Sequence, residues 1–78
     1  MTDLSDQELA LLAFERRFWR HAGAKEQAMK DELGLTPTRY WQLLLDLLHR
    51  PEALEHDPQT VNRLLRLEQQ RARSRRAG

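Results

Sequence analysis

The sequence predicts an all-α protein: a small helical domain of about four helices that contains a helix-turn-helix and ends in a basic helical or disordered tail. Composition is the first observation. The 78 residues are rich in Leu, Ala, Glu, Arg and Gln, with three glycines, three prolines, one valine and no isoleucine; helix formers dominate and strand-forming runs are absent. The second is the stretch AKEQAMKDELGLTPTRYWQLLLDLL from Ala24 to Leu48, which reads as two helices joined by one tight turn. The third is charge placement. Residues 1–60 carry seven Lys or Arg against eleven Asp or Glu, a balance of −4, whereas residues 61–78 carry six arginines against Glu68, a balance of +5. A basic end on an acidic body suits an anionic partner.

The first helix has a complete start signal. Ser5 is the N-cap, Glu8 three residues later completes a capping box, and Leu4 and Leu9 hold the two positions of a hydrophobic staple. The helix is expected to start at Asp6, run to about His21 and end at Gly23. Leu9, Leu12, Ala13 and Trp19 fall near one side and Leu11, Phe14 and Phe18 on another, which predicts a central helix with neighbours on two sides. Arg16, Arg17 and Arg20 stay on its polar parts, where pairing with nearby acids is the ordinary role and holding a phosphate the other.

The second helix, about Ala24 to Leu33, offers Ala28, Met29 and Leu33 as apolar contacts and an outer face of mixed charge. It is too short to stand alone and must be held by packing. Gly34 stops it, since glycine accepts the left-handed conformation that follows a last helical turn, and Leu35 folds back toward Leu33 or Met29. Thr36 then caps the third helix, and Pro37 takes the first helical position, where its missing N–H is harmless. From Pro37 to about Arg50, Tyr40, Leu43, Leu44, Leu47 and Leu48 recur at i, i+3, i+4, i+7 and i+8 as one core-facing side. Arg39, Gln42, Asp46 and His49 form the opposite polar stripe. Trp41 and Leu45 add a flanking apolar strip, expected to be covered by the last helix. Pro51 ends the third helix, PEALEHDP makes a short helical turn anchored by Leu54, and Asp57-Pro58 starts the fourth helix. Val61, Leu64, Leu65 and Leu67 dock it, so the domain spans residues 1–67 and the arginine-rich tail 68–78.

No cofactor, metal or catalytic site is predicted. Cysteine is absent, His21, His49 and His56 are scattered without ligand spacing, and no glycine-rich phosphate loop occurs. The acidic N-terminus is unlike a signal peptide and no apolar run reaches bilayer length, so a cytoplasmic protein without a membrane partner or small-molecule substrate is expected.

DNA is the partner the pattern favours. Against the twenty-residue helix-turn-helix frame starting at Glu26, Met29, Leu33, Leu35, Tyr40 and Leu43 fill the apolar positions and Gly34 the turn; Lys30 stands where a small alanine usually lets the helices cross closely. In that geometry Thr36 and Thr38 meet phosphate or sugar while Arg39 and Gln42 reach base edges. Arg63, Arg66, Arg71, Arg73, Arg75 and Arg76 supply salt-sensitive phosphate contacts. RNA is open to the same chemistry, although no aromatic residues are interleaved with the tail arginines as a stacking platform needs. The competing class is a protein-protein interaction module that uses the helix-turn-helix as scaffold and the Trp41–Leu45 strip as contact, in a homodimer or with another protein.

The segment FERRFWRHAGAKEQAMKDELGLTPTRYWQLLLDLLHRPEALEHDP with the arginine-rich end, about Phe14 to Arg76, resembles a family of small uncharacterised actinobacterial proteins, a domain of unknown function. AGAKEQA and TRYWQLL are its distinctive parts. The resemblance implies a short cytoplasmic protein with a helix-turn-helix and brings no catalytic residues with it.

Overall fold

The structure is a computed structural model that describes residues 4–77, with side chains up to residue 74. Among these residues there are five α-helices and no strand: α1 (Asp6–Glu15), α2 (Ala22–Ala28) continuing into a π-helical turn (Met29–Leu33), α3 (Pro37–Leu48), α4 (Pro51–His56) and α5 (Pro58–Ala77).

The start of α1 forms as its sequence dictates. Glu8 N–H donates to Ser5 Oγ at 3.1 Å and Ser5 N–H donates to Glu8 Oε1 at 2.9 Å, so two otherwise unpaired amides are satisfied reciprocally. Glu8 also takes a hydrogen bond from the Arg50 guanidinium, which pins this helix start to the α3–α4 junction. The Ser5 amide and Arg50 together hold the Glu8 carboxyl below its ordinary value of 4.5.

The far end of α1 differs from expectation. The helix stops at Glu15, residues 16–21 form a non-helical connection, and Gly23 lies inside α2 instead of ending α1. The reason is aromatic packing. Five residues apart on one helix, Phe14 and Trp19 would point about 140° from each other; with the chain unwound, Trp19 folds back until its ring centroid is 4.9 Å from that of Phe14. Arg17 closes this corner, its guanidinium 4.5 Å from the Trp19 ring and its Nη1 2.6 Å from Glu32 Oε1. Of the residues assigned to helix one's apolar sides, Leu11, Leu12 and Phe14 are buried, but Ala13 is exposed and Phe18 is 90% exposed.

At the turn after the π segment, Gly34 adopts φ 67°, and Leu35 N–H reaches back to Met29 O at 3.3 Å. Thr36 Oγ1 then accepts from Arg39 N–H at 3.2 Å with Pro37 at the head of α3. Helix α3 buries Tyr40, Leu44, Leu47 and Leu48, with Leu43 half-buried. In α4 the anchor is Ala53, fully buried, and not Leu54, which is 43% exposed. Helix α5 packs against α3 and α4 through Val61 and Leu64, and Asp57 Oδ1 accepts from Thr60 N–H near its start. Leu67, expected to dock, is 41% exposed. No helix among the described residues is long and apolar enough to cross a membrane.

Candidate nucleic-acid interface

The helices that carry the candidate residues meet at one buried carboxylate. Glu15, 6% exposed, closes α1. Its Oε1 accepts from Tyr40 Oη of α3 at 2.6 Å and from Lys25 Nζ of α2 at 2.8 Å, while its backbone carbonyl accepts from Arg63 Nη2 of α5 at 2.9 Å. Four helices therefore meet at one residue. Burial first, and the hydrogen bond to Glu15 second, push ionisation of the Tyr40 phenol far above its ordinary value of 10. The sequence carried a sign of this: Glu15 stands four residues after Leu11, on the stripe that faces the core, where an unpaired charge is not tolerated.

Above this carboxylate, the residues assigned to DNA lie at the start of α3 and along α5. Thr36, Thr38, Arg39 and Gln42 are all exposed at the N-terminal end of α3. Thr36 is engaged as the cap, whereas the side chains of Thr38, Arg39 and Gln42 have no hydrogen-bond or ion-pair partner among the described residues. Met29 is buried beneath the turn and Lys30 is exposed. Lys30 lines a surface groove beside the turn with Glu26, Gly34, Thr36 and Pro37.

The arginines of α5 divide by neighbourhood. Arg71 sits with its guanidinium 4.5 Å from the centroid of the Trp41 ring, and these two residues share a groove with Pro37, Tyr40 and Leu67 beside the start of α3. That contact also covers part of the Trp41–Leu45 strip, both members of which are half-buried and packed against the core. At the end of α3, His49 Nε2 lies 3.8 Å from Glu68 Oε2, a second contact between α5 and this flank. Arg63 is occupied by Glu15, its Nη2 donating to the backbone carbonyl and lying 4.0 Å from carboxylate Oε2. Arg66 and Arg73 are exposed and without partners among the described residues. The side chains of Arg75 and Arg76 lie outside the described residues. Arg66 and Arg63 face the α1–α2 connection, where Arg16 and Arg17 line the same concavity.

Among the described residues no group of three or more His, Cys, Asp or Glu is arranged to hold a metal ion. No curated relative and no solved structure is significantly similar to the chain. A family model described as "Protein of unknown function (DUF3263)" matches residues 3–76, nearly the whole chain, and the protein therefore belongs to that family.

Proposed function

We propose that this is a small DNA-binding protein in which α2, the Gly34 turn and α3 act as a helix-turn-helix, serving as a transcriptional regulator or nucleoid-associated accessory in the cytoplasm. The observation that carries the reading is the start of α3. There, Thr38, Arg39 and Gln42 are exposed and uncommitted, next to a helix N-terminus whose partial positive charge favours phosphate, with Arg71 of α5 alongside. Thr36 and Thr38 contact the backbone, Arg39 and Gln42 read base edges, and Arg71 beside them holds a phosphate, while Arg66 and Arg73, on another side of α5, add salt-sensitive attraction.

Glu26 and Asp46 limit the affinity, because both lie on the elements that would approach the duplex. The test is a mutational split. Arg39→Ala should relax discrimination between sequences while reducing affinity modestly, and Arg71→Ala with Arg73→Ala should weaken all duplexes alike and reduce the salt slope. If neither variant changes duplex binding, these roles are wrong. The alternative, a protein-interaction module working through Trp41 and Leu45, has weaker support, since both are half-buried and Arg71 lies over the Trp41 ring.

A further inference from the structure

The α1–α2 connection places a free aromatic ring among arginines. In the non-helical connection Trp19 turns inward onto Phe14, and its neighbour Phe18 lies outside the core, where it is 90% exposed. Burying a phenylalanine ring stabilises a fold, and this one stays in solvent. The surface beside it is concave and is lined by Phe18, Arg16, Gln59, Arg63 and Arg66, with Glu15 at its floor. Glu15 Oε1 is taken by Tyr40 and Lys25, while its Oε2 lies 4.0 Å from Arg63 Nη2, so Glu15 offsets part of the charge of Arg63 and leaves Arg16 and Arg66 as the less committed cations. Arg16 is largely exposed, with only a 3.8 Å approach to Asp57. Arg63 uses one of its five N–H donors on the Glu15 carbonyl. Arg66 uses none among the described residues.

We infer that this concavity binds unpaired nucleotides of single-stranded nucleic acid, with a base stacked on Phe18 and the flanking phosphates held by Arg16, Arg63 and Arg66. An exposed ring with cationic neighbours gains most from a ligand that offers a bare π face and negative charge together. A duplex offers only the charge, since its base faces are covered by their neighbours. The sequence alone did not reveal this platform, because two of its three arginines lie more than forty residues from Phe18 and only the placement of α5 beside the α1–α2 connection joins them. The site uses no residue of α3, so it stands or falls separately from groove reading by Arg39 and Gln42.

The experiment is anisotropy of labelled oligothymidylate, oligouridylate and a mixed-sequence duplex with the full chain, Phe18→Ala, Phe18→Tyr and Arg39→Ala. Wild type should bind at least one single strand. Phe18→Ala should weaken that binding about five- to a hundredfold and leave the duplex within about twofold, while Phe18→Tyr keeps both. Because Phe18 packs on nothing in the core, circular dichroism of Phe18→Ala should match wild type. Arg39→Ala should affect the duplex alone. Absence of single-strand binding by wild type overturns the inference, as does equal single-strand affinity of wild type and Phe18→Ala. Loss of concentration-dependent self-association in Phe18→Ala, with single-strand affinity unchanged, would overturn it in favour of a contact between copies.

Discussion

Glu15 ties α1 to Lys25, Tyr40 and Arg63, and its charge is stabilised only while those partners stay in place. Removing the phenol in Tyr40→Phe should cost about 1.5–3 kcal/mol, the range for hydrogen bonds to charged groups, measured by urea denaturation. Above pH 10 the same bond sets a limit. The folded phenol holds its proton to a higher pH than the unfolded one, so this stabilisation is complete below pH 10 and is lost as pH rises further. Glu8 acts in the opposite direction. Its folded carboxyl ionises below 4.5, so its contribution is complete above that value and is lost as pH falls through the lower folded value. Glu8→Gln should accordingly flatten the fall in melting temperature between about pH 5 and pH 3. Of these residues the sequence disclosed Glu8, whose partner Ser5 is three positions away, and Tyr40 as a core residue. For Glu15 the sequence showed only a charge on the core-facing stripe, not its partners, which are contributed by three other helices.

At the level of elements, local signals were read well and non-local ones poorly. The capping box, the Gly34 stop and the Thr36-Pro37 start each rest on a few adjacent residues, and each forms. The end of α1 was misplaced because nothing in ERRFWRH breaks a helix locally; the unwinding follows from the Phe14–Trp19 contact. The glycine at a helix end and the glycine inside a helix give a clean comparison. Gly34 holds φ 67° with open space where a side-chain methyl group would sit, so Gly34→Ala should cost about 1–2 kcal/mol from conformation alone. Gly23 lies within α2 with equally open surroundings, and Gly23→Ala should stabilise by roughly 0.5–1 kcal/mol. Thermal unfolding of the pair checks both signs.

Across the whole molecule, an acidic body carries a basic helix. The radius of gyration of 13.0 Å exceeds the roughly 11.5 Å of a compact chain of this length, and the long axis of 41 Å fits α5, whose 20 residues span about 30 Å. The helical class and this charge asymmetry were legible from composition. The sequence also allowed either helix or disorder after Glu68, and the helix continues to Ala77. What the sequence did not carry was the grouping of arginines, with Arg71 beside the start of α3 and Arg66 beside Arg16 and Phe18, since it depends on how α5 crosses the other helices.

The central claim is that arginines on α5, together with the start of α3, bind duplex DNA. Its most direct test is the affinity of the full chain for a mixed-sequence duplex, measured by fluorescence anisotropy across a series of salt concentrations. Engagement of about four phosphates predicts that log K falls against log salt with a slope of roughly −3.6. Absence of binding at low salt, or an affinity that does not respond to salt, would contradict the account.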